Sequence, residues 1–197
     1  MIRFAYDSQI FAQQTFGGVS RYVCQLARRI SAISDIRSRI VAPMHINEYL
    51  AGLPPQLCRG FSDRYKDCPD VVRRVVYRGT EEWLMRSYRP HVIHETYYAA
   101  KGRGPSNARR VVTIHDMIHE KFSASFRELR GDIAERKRRA ALRADHIIFI
   151  SESTQRDALE LIELDPARTS VIRHGFDLLA QGDSSDFATF PNDRPFI

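Results

Sequence analysis

The sequence predicts an α/β domain built on an open, doubly wound parallel sheet, and three observations carry that expectation. Short apolar runs suited to strands alternate with stretches of helical periodicity along most of the chain. The run His-Ile-Ile-Phe-Ile at 146–150 is nearly all apolar, as a strand covered on both faces must be. Polar or titratable residues also recur just after each apolar run. They fall at one edge of the sheet, where open parallel sheets gather their ligands.

Residues 2–6 read as the first strand, and a polar loop then leads to Gly17-Gly18. The clearest helix follows at 19–33, with Val19, Tyr22, Val23, Leu26, Ala27 and Ile30 at three- and four-residue spacing. A second strand is expected at 39–42, stopped by Pro43, which completes a right-handed βαβ unit. Residues 44–70 carry the weakest pattern. Within them 47–51 reads as a short helix and 59–67 as a polar loop. Pro69 then sits where a first-turn proline would, ahead of a helix to residue 88 with Val72, Val75, Val76, Trp83 and Leu84 as its apolar face. Gly79 weakens that helix or marks a close packing contact.

Further strands are expected at 91–94, 110–114 and 146–150, with a basic helix at 126–143 before the last of them. Arg136, Arg139 and Arg143 line one side of this helix, as a solvated face or as a contact for an anionic membrane. Thr154-Gln155-Arg156-Asp157 matches a capping box that starts a helix to about residue 164, ended by Pro166. Residues 169–173 read as the last strand. The composition at 179–193 turns to Gly, Ser, Asp, Asn and Pro, as in a linker, and 194–197 resembles the start of a new strand. The expected organisation is therefore a Rossmann-like domain over 1–178, a linker over 179–193 and the first residues of a second domain at 194–197.

A chain of 197 residues suits one sizeable domain and is too short for two full ones. Hydrophobic content of 43% and charged content of 27% are ordinary for a soluble protein. No run approaches a membrane span and the N-terminus lacks a signal segment, so a cytoplasmic location is expected. Cys24, Cys58 and Cys68 are odd in number without C-x-x-C spacing, which indicates reduced thiols. The net charge of +6 arises from 30 Lys and Arg against 24 Asp and Glu. It fits an anionic partner (nucleotide, nucleic acid or acidic lipid) and equally a plain bias towards arginine.

Candidate site residues come from the strand ends: Asp7 with Gly17-Gly18, His94 to Tyr98, His115-Asp116, Ser151 to Ser153 and His174-Gly175. Without Cβ atoms the glycine pair lets a ligand approach the main chain, and the helix N-terminus behind it favours an anion. The segment lacks G-x-G-x-x-G and a P-loop lysine, so it also reads as a turn. His115 reads equally as a hydrogen-bonded strand-end histidine, Asp116 and Ser151 as helix caps, and His174-Gly175 as a turn. His115 and His119 have i, i+4 spacing but follow a strand and lack a third ligand, so no metal is expected. No G-x-S-x-G elbow is present.

Taken in order, these segments resemble a known family. Tyr6-Asp7 with Gln9-Ile10-Phe11, Phe16-Gly17-Gly18-Val19-Ser20-Arg21-Tyr22, His94-Glu95-Thr96-Tyr97-Tyr98, Val111 to Ile118 around His115-Asp116, Ala144 to Ser151 and Val171 to Asp177 are similar to the N-terminal half of family 4 retaining glycosyltransferases of the GT-B fold. The mannosyltransferase-like members that build bacterial surface polysaccharides are the nearest in character. The resemblance implies transfer of a hexose from a nucleotide-sugar to a saccharide or lipid-linked acceptor, without metal or cofactor and without nucleic acid as partner. It implies a cytoplasmic protein that can sit at the inner face of the cell membrane. The nucleotide-sugar would be held mainly by a C-terminal domain that these residues lack, so the chain alone is expected to be inactive. A standalone Rossmann-like nucleotide-binding module is the alternative. On the same resemblance His115 and Asp116 are catalytic. Gly17, Gly18, Ser151, His174 and Gly175 border the donor phosphates, and Asp7, Arg21, Tyr22, Thr96 and Tyr97 lie on the acceptor side.

Overall fold

In the computed structural model residues 1–62 and 70–175 are described; Cys68, Pro69, the expected linker and residues 194–197 lie outside the described residues. The chain runs β1 (Ile2–Tyr6), α1 (Gly18–Ser31), β2 (Ile36–His45), β3 (Cys58–Ser62), α2 (Asp70–Tyr88) and β4 (Val92–Glu95). It continues through β5 (Arg109–Ile114), α3 (Ile118–Phe122), α4 (Ile133–Arg143), β6 (His146–Phe149), α5 (Glu152–Leu161) and β7 (Thr169–Val171). The seven strands form one sheet in the order β3-β2-β1-β4-β5-β6-β7, and every pairing is parallel. The chain winds outward from β1 to β3, crosses back to β4, and winds the other way to β7. The doubly wound fold expected from the sequence is the one observed, and its switch point lies between β1 and β4.

Alternation along the central strands fills both faces of the sheet. Tyr6, Ile40 and Ala42 turn towards α1 and pack with Val23, Cys24 and Ala27. Ala5, Val41 and Ile93 turn the other way and pack with Leu84 and Met85 of α2. Beside them Val112, Ile114, Ile147 and Phe149 are covered by Ala140 and Ala141 of α4 and Ala158 of α5. The small alanines let these helices lie close on β5 and β6. Cys24 and Cys58 are free thiols, and burial pushes them up to about 12 and about 11.

Several boundaries differ from the sequence reading. β2 does not stop at Pro43 but runs ten residues to His45. Its register with β3 shifts between Val41 and Met44, so the proline occupies an irregularity where no ladder donor is needed. The described part of the expected polar loop is β3. The helix α2 is present, but Val76 and Trp83 face outward, Trp83 at 64% exposure, while Glu81, Leu84 and Met85 face the sheet. The basic helix is broken: a 3-10 turn at Arg127–Leu129 precedes Gly131-Asp132, and α4 starts only at Ile133. The short helix α3 was not expected. Ser151 caps α5, its Oγ accepting from the Thr154 N–H (3.1 Å), so the helix starts before the supposed capping box. That helix ends at Leu161, and Pro166 opens a separate 3-10 turn capped by Asp165.

Candidate functional site

At the switch point β1 and β4 part, and the gap is braced by buried polar groups. Asp7 is fully buried. Its carboxylate accepts from the Thr96 N–H (2.9 Å), the Thr96 hydroxyl (2.6 Å) and the Gln9 amide. Beside it, Glu81 of α2 accepts from the Ser8 N–H (2.9 Å) and hydroxyl (2.6 Å). Glu95 is gripped by Arg143 (2.6 Å) and Arg110 (3.1 Å). Burial and the charge of Glu95 hold Asp7 up at about 6, while burial and the charge of Asp7 hold Glu81 up at about 7. Asp7 and Thr96 are thus buried at the switch point and bind each other, with their polar atoms turned inward.

The N-terminus of α1 follows the carboxyl end of β1. Gly17 has extended backbone (φ 177°), so its conformation suits any residue. A side chain there would have to move the end of Gln14, whose Oε1 would lie 2.1 Å from an added Cβ. The same oxygen accepts from the Ser20 N–H (3.4 Å), while the Ser20 hydroxyl donates to the Gly17 carbonyl (3.1 Å). Gly18 is exposed, with open space where a Cβ would stand, and no side chain caps the helix from Gly17. Of the first N–H groups of α1, that of Ser20 is taken by Gln14, and those of Gly18 and Val19 have no side-chain cap. Arg21 is exposed one turn further on.

Three rings from distant parts of the chain meet beside that helix end. Tyr22 of α1 stacks on His174, with centroids 4.5 Å apart and planes at 27°. His115, leaving β5, meets Tyr22 edge-on at 5.5 Å and lies 5.4 Å from His174. Burial, the neighbouring His174 and the Lys137 cation push His115 down to about 4 although Asp116 opposes them, so the ring is neutral at pH 7. The Tyr98 hydroxyl accepts from the His115 N–H (3.4 Å).

Asp116 accepts from the Ile118 N–H (3.1 Å) and starts α3. Ser151 spends its hydroxyl on the cap of α5, Gly175 is exposed, and Tyr97 stacks on Tyr98 at 4.6 Å. The structure thus brings Tyr22, His115 and His174 together beside Gly18. It buries Asp7 and Thr96 against each other and keeps Ser151 within a helix cap.

The sequence reading missed Lys137, which is buried in α4. Its ammonium donates to the Asp116 carbonyl (2.8 Å) and to Glu120 (2.9 Å), and lies 5.4 Å over the Tyr98 ring. A signal was available. Ile133, Lys137, Ala140, Ala141 and Ala144 fall on one helical stripe, and a lysine on an apolar stripe is out of place unless it is bonded inside. The arginines of the same helix are also engaged: Arg136 donates to the Tyr98 carbonyl (2.9 Å), Arg139 pairs with Glu135 and Arg143 with Glu95.

This edge can present main-chain donors to an anion, a neutral imidazole to a reacting centre and stacked rings to an apolar ligand face. Among the described residues no group of three or more His, Cys, Asp or Glu is placed to hold a metal ion. A family model, Glycosyltransferase Family 4, matches residues 16–178. The chain belongs to glycosyltransferase family 4. Among solved structures, the apo form of the lipopolysaccharide outer core galactosyltransferase WaaB superposes with a TM-score of 0.55 at 11% sequence identity. The match covers 89% of this family 4 chain and 46% of that one, so the residues span about half of the relative's length. It shows the fold, that of the N-terminal domain of a GT-B glycosyltransferase. A comparison with curated proteins gives no match.

Proposed function

We propose that this chain forms the acceptor-side half of a glycosyltransferase that moves a hexose, mannose-like, from a nucleotide-sugar to a saccharide or lipid-linked acceptor in surface polysaccharide synthesis. The observation that carries this reading is the meeting of Tyr22, His115 and His174 beside the open Gly18 end of α1, at the switch point of a family 4 domain. The exposed amides at Gly18 suit a donor diphosphate. Neutral His115 can hydrogen-bond at the transferred sugar and oppose charge developing at the anomeric carbon, with retention and without a metal. Arg21 and Tyr97 line the acceptor side, and the buried Asp7 and Thr96 support it. A second domain completes the donor site, a reading supported by the 46% coverage of the galactosyltransferase. On this reading the chain alone transfers no sugar.

A cytoplasmic enzyme with a lipid-linked acceptor works at the membrane surface. The stripe Ile118, Phe122 and Phe126, with Phe126 at 55% exposure, is apolar, and Lys121, Arg127 and Arg130 neighbour it in sequence, Lys121 paired with Asp157. That combination suits an anionic bilayer.

Two measurements test the main reading. Calorimetry should find no millimolar-or-better binding of a nucleotide-sugar by this chain and clear binding by a chain extended through a second domain. Tight stoichiometric binding by the shorter chain would instead favour a standalone nucleotide-binding module. In the two-domain enzyme His115→Ala should lower kcat by about 100-fold or more, and near-normal turnover would remove His115 from the chemistry.

A further inference from the structure

We propose that Lys137 is the positioning residue of the His115–Asp116 turn: from inside α4 its ammonium ties the end of β5 to the start of α3 and so sets the imidazole against Tyr22 and His174. Lys137 is 1% exposed, and its ammonium is fully engaged. It donates to the Asp116 carbonyl (2.8 Å) and to Glu120 Oε2 (2.9 Å), and stands 3.4 Å from Asp116 Oδ1. A second connection runs through Tyr98, whose ring lies under the ammonium and whose hydroxyl accepts from the His115 N–H. Lys137 therefore reaches the turn both at the peptide after Asp116 and through the hydroxyl bonded to the His115 main-chain N–H.

Packing alone does not account for a lysine here. Taking an ammonium out of water is costly, and an apolar side chain of similar volume would fill the stripe of Ile133, Ala140 and Ala141 at no such cost. What methionine could not do is hold a main-chain carbonyl and two carboxylates at once. Asp116, so held, keeps Oδ1 on the Ile118 N–H and fixes where α3 begins. The cation also acts on His115 directly. The groups facing the imidazole are Tyr22 from α1, His94 of β4, Tyr98 after β4, Asp116 beside it, His174 after β7 and Lys137 from α4, with Glu120 of α3 on the far side of the ammonium. Of these, Lys137 and His174 resist protonation of His115, and Asp116 favours it.

The effect on turnover rests on the transferase reading above, whereas the effect on the turn does not, so the test has two arms. Lys137→Met alone leaves Glu120 without its partner and can fail to fold. The double variant Lys137→Met/Glu120→Gln removes both buried charges and keeps the shape. In this chain, the NMR titration midpoint of His115 should move up in the double variant, which a lysine remote from the imidazole would not cause. In the two-domain enzyme, kcat should fall by about 10- to 100-fold through misplacement of the imidazole, with the donor KM within about twofold. An unmoved His115 midpoint, or an unchanged kcat, in the folded double variant overturns the proposal. If the wild-type two-domain enzyme transfers no sugar, the transferase reading falls while the titration still decides the role of Lys137.

Discussion

Two adjacent glycines serve the site for different reasons, and substitution separates them. At Gly17 a methyl group would collide with the end of the Gln14 side chain, the group that accepts from the Ser20 N–H. Gly17→Ala should displace that glutamine and cost about 1 kcal/mol, the usual value of a lost helix cap, read by urea unfolding. At Gly18 nothing stands in the way, and alanine is the better helix former by about 1 kcal/mol. Gly18→Ala should therefore leave stability unchanged or improved, yet weaken donor binding by the two-domain enzyme, because the methyl group occupies the approach to the amides. Equal losses of stability in both variants would contradict this division. The pair was legible in the sequence because it stands before a strongly periodic helix, and His115 and His174 because each follows an apolar run. Asp7 was legible as a strand-end residue, but its burial was not. Nothing in Tyr6-Asp7-Ser8 shows that Thr96, 89 residues away, will take the carboxylate.

Elements were legible in proportion to how far their own sequence had to satisfy the core. β4, β5 and β6 lie inside the sheet, and each carries a short apolar core: Val92-Ile93, Val111-Val112 with Ile114, and Ile147-Ile148-Phe149. β3 is an edge strand with the sequence Cys-Arg-Gly-Phe-Ser, which no local pattern separates from a loop; its pairing with β2 decides it. Gly60 makes that pairing possible, since an added Cβ would lie 1.6 Å from the Ala42 carbonyl oxygen. Gly60→Ala must push β3 off β2 and should cost about 1–3 kcal/mol, the range for overpacking, measured by thermal or urea unfolding. The apolar face of α2 was misread because residue type alone puts Trp83 inside. A buried carboxylate, Glu81, holds the opposite rotation through Ser8. In α3 the same ambiguity concerns function. Phe122→Ser/Phe126→Ser changes exposed rings only, so it should leave stability nearly unaltered. It should also abolish flotation of the chain with vesicles containing phosphatidylglycerol, and wild-type flotation with those vesicles should weaken at high salt.

The molecule as a whole sequesters titratable groups around its switch point, and they set its response to pH. Asp7 and Glu81 are held up at about 6 and about 7, whereas burial pushes His94 and His115 down to about 4. The two pairs act in opposite senses. Between pH 4 and 7 the folded chain binds more protons at the carboxyls than the unfolded chain does. Their contribution is complete below about pH 4 and is lost as the pH rises through 6 and 7. At the histidines the unfolded chain binds more protons. Their contribution is complete above about pH 6.5 and is lost as the pH falls towards 4.

Wild-type stability should thus vary little across this window, with each pair masking the other, and removing one group should expose the imbalance. Glu81→Gln keeps an amide oxygen for the Ser8 N–H and hydroxyl but no longer binds a proton. The contact with Arg103, 3.4 Å from the other carboxylate oxygen, favours only the ionised wild-type carboxylate and is outweighed by burial and the charge of Asp7. The change with pH is therefore the readout. The Tm of the variant relative to wild type should rise between pH 5 and pH 8, because wild type alone must strip a proton from Glu81 over that interval. A difference that stays constant from pH 5 to pH 8 would mean that Glu81 folds with its charge already in place, which would require Arg103 and Ser8 together to outweigh both burial and the repulsion from Asp7.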